Sequence, residues 1–247
     1  MGELVLSKIL EWDSNFFGFK VAKILLDRLS LKALEGILEE LRGKEILLVY
    51  WASNYEDKNS HKAAERLGGF LADEKVTYVV DLSDLILNKD VLKSEFIIEE
   101  YDKDIPDEDL FELSIQSGVY SRFNCDPKIG SENFRRMYRE WIKNSVSKRI
   151  AQAVLVAKKS GKIVGMVTVG EKEGRGDIGL LSIVSESRGK GLGFSLVKSA
   201  QDWFKSQGYR RGQVITQKRN IFACKLYEKC GYRIEKIERF YHFWLDK

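Results

Sequence analysis

The sequence predicts an α/β (α+β) fold, a mixed sheet flanked by helices, and three observations predict it. Strand-like apolar runs alternate with amphipathic helical stretches along the 247 residues. One such run, Ile178-Gly-Leu-Leu-Ser-Ile-Val184, passes straight into a basic glycine turn, Arg188-Gly-Lys-Gly-Leu-Gly193, and then into an amphipathic helix beginning at Phe194. The composition, 44% hydrophobic and 32% charged, is that of a globular chain rather than a disordered one.

The elements follow in order. Residues 31–82 read as a helix, an apolar strand (Ile46-Leu-Leu-Val-Tyr50), a second helix and a strand ending at Leu82. A seam lies near residues 83–93, which places domains at 1–90 and 91–247. Beyond it, a strand covers about 94–100, and a helix begins near Pro106, where Pro-Asp-Glu-Asp suits a first turn. A loop at about 118–130 precedes a helix at about 131–146, with Phe134, Met137, Tyr138, Trp141 and Ile142 at helical spacing. Strands at about 152–158 and 162–170 flank a hairpin turn, Lys159-Ser-Gly161. After the glycine turn and its helix come a strand at about 212–217, a helix at about 220–229 and a closing strand at about 232–245. Residues 194–245 thus echo residues 31–82, with Asn59 and Asn220 each followed by a Gly-aromatic pair, Gly69-Phe70 and Gly231-Tyr232. The echo fits a duplicated half-domain or a chance match.

The bulk properties exclude several classes. No apolar run approaches the roughly 20 residues of a membrane helix, and Met1-Gly-Glu-Leu-Val-Leu-Ser-Lys8 lacks the apolar core of a signal peptide. A cytoplasmic location is expected, with no membrane partner. Cys125, Cys224 and Cys230 read as reduced thiols, and with two histidines they do not suggest a metal site. Residues 1–90 hold 12 Lys+Arg against 16 Asp+Glu, leaving 29 against 21 for the remainder of the 41 and 37. The positive half carries the glycine turn. The basic cluster there, Arg210-Arg211 and Lys218-Arg219, is short for a nucleic-acid surface, and no nucleic-acid partner is expected.

The turn has anion-binding chemistry. Glycines at 189, 191 and 193 let the backbone reach conformations closed to other residues. Successive N–H groups then converge on a phosphate in front of a helix N-terminus, and Arg188 and Lys190 add charge. A ligand carrying a pyrophosphate is expected. The spacing G-x-G-x-G departs from the dinucleotide fingerprint, and no Gly-Lys-Ser/Thr follows to make a P-loop.

The turn resembles the pyrophosphate loop of the GNAT acyltransferases. A second motif, Asn220-x-x-Ala223-x-x-Leu226-Tyr227-x-x-x-Gly231-Tyr232, resembles the GNAT helix that carries an Asn toward coenzyme A and a Tyr toward its sulfur. Asn220 and Tyr227 are seven apart and share a helix face. The resemblance covers residues 94–247. It implies a GNAT fold with a twisted, mostly antiparallel mixed sheet, acetyl-CoA as co-substrate, no metal, and direct transfer to an amine in a ternary complex. In that scheme the backbone of Leu181, Ser182, Ile183 and Val184 holds the pantetheine arm, with an N–H near Ile183 facing the thioester oxygen. Arg188, Gly189, Lys190, Gly191, Leu192, Gly193 and Phe194 bind the pyrophosphate. Asn220 and Ala223 contact the coenzyme, and Tyr227 is the general acid. Asn220 also fits a helix N-cap, and the two roles are compatible. Tyr232, Cys224 and Cys230 read as packing residues.

Outside those motifs, Leu10-Glu-Trp-Asp-Ser-Asn-Phe-Phe-Gly18, Ser121-Arg-Phe123 and Trp141-Ile-Lys-Asn-Ser145 resemble the TDP-fucosamine acetyltransferases. That resemblance implies a truncated GNAT-like N-terminal domain and a nucleotide-linked, dTDP-type amino-deoxysugar as acceptor. It makes Glu74 the candidate base, acting through water, although Asp73-Glu74-Lys75 also reads as a solvated turn. Arg122 becomes the candidate anchor for the acceptor's phosphates. Trp12 and Phe17 become candidate lining residues, although burial accounts for Phe16 and Phe17 as well. Other readings are a GNAT enzyme for a peptide N-terminus, polyamine or aminoglycoside, and a non-catalytic acyl-CoA- or nucleic-acid-binding module. The aromatic closing strand, Glu238-Arg-Phe-Tyr-His-Phe-Trp-Leu245, offers a homodimer edge or completes the sheet.

Overall fold

The computed structural model describes residues 6–83 and 96–246. In chain order the first part runs β1 (Ser7–Ile9), α1 (Glu11–Phe17), β2 (Val21–Ile24), α2 (Leu31–Gly43), β3 (Leu48–Asn54), α3 (Lys58–Arg66) and β4 (Phe70–Asp81). The second runs β5 (Ile97–Glu100), α4 (Glu108–Ser117), α5 (Arg122–Cys125), α6 (Ser131–Val146), β6 (Ala153–Lys159), β7 (Lys162–Lys172) and β8 (Arg175–Ile183). A 3-10 turn (Ser185–Ser187) leads to α7 (Leu192–Ser206), β9 (Arg211–Gln217), α8 (Ile221–Lys229) and β10 (Arg233–Trp244). The sequences α2-β3-α3-β4 and α7-β9-α8-β10 repeat one order of elements, as the echo of residues 31–82 in 194–245 anticipates.

The chain forms two compact units. One comprises Met1–Lys75, Ser121–Asn133 and Ile237–Lys247; the other comprises Val76–Tyr120 and Phe134–Lys236. Of the seam at residues 83–93, all but Ser83 lies outside the described residues.

In the first unit the strand order is β1-β2-β3-β10-β4. β2 and β3 run parallel, while β1 pairs β2 and β10 pairs β3 in antiparallel fashion. α2 buries Leu34, Ile37, Leu38 and Leu41, the i, i+3, i+4, i+7 stripe of an amphipathic helix, in a core with Trp51, Tyr241 and Phe243. Ser30 caps this helix, its hydroxyl accepting from the Ala33 amide at 3.3 Å. Ser30→Ala should therefore cost about 1 kcal/mol of stability, readable as a lower urea midpoint at unchanged slope. The closing strand β10 lies between β3 and β4. It is an interior strand and completes the sheet, which corrects its reading as a dimer edge.

In the second unit the order is β4-β9-β8-β7-β6-β5. β5 to β8 pair antiparallel in succession, and β8 pairs β9 in parallel. Ser160 and Gly161 both take positive φ, 50° and 81°, the backbone of the tight hairpin the sequence signals there. Phe204 of α7 is fully buried against Gly176 and Gly212, where a Cβ on Gly176 would lie 2.4 Å from its ring. α4 and α6 bring Leu110, Leu113 and Ile142 onto Val154, Val156 and Met166 of the sheet.

Candidate active site

The second unit holds every residue expected to contact the coenzyme. The parallel pairing of β8 with β9 covers only Gly176, Asp177 and Ile178 against Gly212, Gln213 and Val214. Both strands continue, to Ile183 and Gln217, without pairing each other. Leu181 to Ile183 therefore form a segment of β8 that pairs with β7 but not with β9. The carbonyl of Ile183 is already engaged: it accepts from Gln116 Nε2 at 2.9 Å and from Arg188 Nε at 3.0 Å. Arg188 is thus folded back along the strand end, with its terminal guanidinium nitrogens left for an anion.

The glycine turn adopts the backbone its residues permit. Gly189 and Gly191 sit at φ 75° and 80°, where a side chain is disfavoured. Gly191 occupies the N-cap of α7, and no side chain caps that helix. Its first-turn N–H groups are thus left for a ligand. Arg188, Gly189, Lys190 and Gly191 are exposed, while Leu192 turns into the core. A positively charged, accessible N–H cradle beside a parted strand fits the pyrophosphate and pantetheine portions of an acyl-CoA.

In α8, Asn220 is the N-cap, its side-chain oxygen accepting from the Ala223 amide at 3.2 Å. Two turns on, Tyr227 is buried, its ring 6.1 Å from Tyr78 and 5.9 Å from Tyr232. The Tyr78 hydroxyl donates to Glu228 at 2.9 Å, whereas the Tyr227 hydroxyl makes no hydrogen bond among the described residues. Burial raises the Tyr227 pKa above that of an ordinary phenol, so the group stays protonated at neutral pH. Tyr232 is buried packing, as expected.

The first unit holds the residues expected to contact the acceptor: Trp12, Phe17, Glu74 and Arg122. Trp12 on α1 is 42% exposed and stacks on Phe16 at 5.2 Å. The ladder continues through Phe17 and Phe19 to Trp244. The indole nitrogen of Trp244 donates to Asp126 Oδ2 at 2.9 Å, and the same oxygen contacts His242 Nδ1 at 2.6 Å. His242 Nε2 meets Arg122 Nη1 at 3.0 Å. The Arg122 guanidinium carbon lies 3.9 Å from the ring centres of both Tyr50 and Phe123 and 4.6 Å from that of Phe240. Arg122 and Tyr50 also face Asp13, the neighbour of Trp12, which closes the circuit back to α1. Burial raises the Asp13 carboxyl and pushes the Tyr50 phenol up to about 12. The buried Tyr50 hydroxyl has Arg122 and Asp13 as its polar neighbours.

Arg122 and Trp12 were visible in the sequence; Asp13, Tyr50, Asp126, His242 and Trp244 were not singled out. Glu74 stands apart from this circuit. It lies within strand β4, which corrects the reading of residues 73–75 as a turn. Its Oε1 meets Arg239 Nε at 3.4 Å, and Arg239 also contacts His61.

His242 is fully buried, and burial lowers its pKa to about 4, against the opposing pull of Asp126. Burial alone would raise the Asp126 carboxyl, but the hydrogen bonds from His242 and Trp244 outweigh it and hold it low. An unfolded chain binds the histidine proton near pH 6.5, while the folded chain resists until about pH 4. Stability therefore falls as pH drops through that window. Urea unfolding at pH 5 rather than pH 7.5 should show about 2 kcal/mol lost through this group, a loss absent from His242→Gln.

Among the described residues, no group of three or more His, Cys, Asp or Glu side chains is placed to hold a metal ion. No described helix is long and apolar enough to cross a membrane. Residues 118–232 match the model of the Acetyltransferase (GNAT) family. The chain is 27% identical to the spore coat polysaccharide biosynthesis protein SpsD of Bacillus subtilis over 140 residues, 57% of this chain and 48% of that one. It thus spans about half the length of SpsD. It is 28% identical to a dTDP-fucosamine acetyltransferase of Escherichia coli over 185 residues, 74% of each chain. Its fold matches the crystal structure of a GCN5-related N-acetyltransferase from Sphaerobacter thermophilus with a TM-score of 0.62 at 14% identity, covering 98% of this chain and 76% of that one.

Proposed function

We propose, from the premise that residues 118–232 are a GNAT acetyltransferase domain, that this chain transfers an acetyl group from acetyl-CoA to the amine of a nucleotide-linked amino-deoxysugar. One observation carries the donor half of the reading. A strand parted from its neighbour, an exposed glycine turn and a buried protonated phenol occur together in one unit. The acceptor half rests on the likeness to the dTDP-fucosamine acetyltransferase, over 74% of both chains, and on the aromatic and guanidinium circuit around Arg122. The first unit is read as a truncated GNAT-like domain given over to the acceptor.

Acetyl-CoA supplies an activated acyl group as a thioester. Amide formation then needs an unprotonated amine, a stabilised carbonyl oxygen and a proton for the departing thiolate. The turn 188–193 holds the pyrophosphate, and a backbone N–H near Ile183 stabilises charge on the carbonyl oxygen. Tyr227 gives its phenolic proton to the thiolate. Glu74, through water, takes the proton that the amine sheds, and Arg122 binds the phosphates of the acceptor. Holding both substrates together supplies much of the acceleration.

Initial rates measured over a grid of acetyl-CoA and acceptor concentrations test the ternary complex. Double-reciprocal lines that intersect are expected, and parallel lines would overturn direct transfer.

A further inference from the structure

We propose that His242 is a positioning residue: oriented by Asp126, it fixes the Arg122 guanidinium in the attitude that receives the acceptor's phosphates. The proposal rests on the acceptor reading above and adds to it the pair that sets Arg122.

The donor inventory fixes the proton. A guanidinium only donates, so Arg122 Nη1, 3.0 Å from His242 Nε2, requires a lone pair on that nitrogen. The imidazole proton then sits on Nδ1 and is donated to Asp126 Oδ2 at 2.6 Å. A doubly protonated ring would set two donors face to face. The dyad is anchored in turn, because Asp126 also accepts from Trp244 Nε1 at 2.9 Å and from the Lys128 amide at 3.0 Å. Asp126 and His242 are 3% and 0% exposed, so neither is placed to meet a ligand directly.

Arg122 is the accessible end of this chain of contacts, half-buried on the short helix α5. Aromatic rings at 3.9, 3.9 and 4.6 Å hold its faces and His242 holds one nitrogen. Its remaining N–H groups are thereby aimed before a ligand arrives. A free arginine side chain loses rotamer entropy when it is fixed, and here that ordering precedes binding. Asp13 shares the field of Arg122. An anion therefore depends on the guanidinium's direction as well as its charge.

The test is calorimetric titration of the intact protein with dTDP, and separately with acetyl-CoA. The proteins compared are the wild type, Arg122→Lys, His242→Asn and His242→Gln, each first shown to unfold cooperatively. Asn keeps a donor toward Asp126 and removes the acceptor facing Arg122, while Gln can return an oxygen acceptor there. The expected result is a dTDP affinity lowered about tenfold in Arg122→Lys and in His242→Asn. His242→Gln should recover most of it, and acetyl-CoA affinity should be unchanged throughout. Nitrogen-15 spectra should place the His242 proton on Nδ1. Wild-type dTDP affinity in His242→Asn, a proton on Nε2, equal losses for dTDP and acetyl-CoA, or no dTDP binding by the wild type would each overturn the proposal. Failure of the function reading looks different. The wild type would bind dTDP with this pattern of variants yet transfer no acetyl group to a dTDP-linked amino sugar.

Discussion

Tyr227→Phe should lower kcat by roughly 10²–10³-fold while the KM for acetyl-CoA stays within about threefold, the range for loss of a positioned general acid. The ring is buried between Tyr78 and Tyr232, and phenylalanine keeps that packing. The hydroxyl takes part in no hydrogen bond among the described residues, so its removal strands no partner and should leave stability nearly unchanged. Burial keeps the wild-type phenol protonated well above neutral pH. It is thus a donor throughout the working range, and the variant's deficit should persist from pH 6 to 9. A variant with full turnover would take the proton-donor role away from Tyr227. A variant with raised KM and unchanged kcat would make the hydroxyl a binding group instead.

Gly191→Val should raise the KM for acetyl-CoA by about 100-fold, with kcat at saturation far less affected. Gly191 sits at φ 80° at the N-cap of α7, a backbone that costs a β-branched residue about 1–3 kcal/mol. Turning the peptide would relieve that strain and would swing the first N–H groups of α7 out of the direction in which they would meet a phosphate. The damage is local, since Gly191 is exposed. Coenzyme A binding by calorimetry checks this, and an unaltered affinity would remove the turn from the donor site.

The elements of the proposed donor site were legible because they are contiguous. The glycine turn, the helix it opens, and Asn220 with Tyr227 are set by local spacing, and the structure keeps each where the spacing puts it. The parting of β8 from β9 came from the resemblance alone, since pairing that stops after three residues has no local signature. The circuit around Arg122, the proposed acceptor side, was barely legible. Arg122 reaches His242, and His242 reaches Asp126, across more than a hundred residues of chain. A histidine on an apolar strand looks like packing until its partners are seen. α1 shows no amphipathic stripe in the sequence because it is only seven residues long and buries none of them fully. Glu74 looked like part of a turn because Asp73-Glu74-Lys75 is charged throughout. It belongs to a strand in which Asp73 is buried and Glu74 meets Arg239.

The proposed function pairs the glycine-turn site with a nucleotide-linked amine. The direct measurement is release of free coenzyme A thiol from acetyl-CoA in the presence of dTDP-linked 4-amino-4,6-dideoxysugars, set against the free amino sugars, a polyamine, an aminoglycoside and a peptide N-terminus. Turnover is expected with at least one dTDP-linked sugar at a kcat/KM 100-fold or more above the matching free sugar, the difference an arginine-held phosphate supplies at about 3 kcal/mol. Thiol release with the polyamine, aminoglycoside or peptide but with none of the dTDP-linked sugars would contradict it.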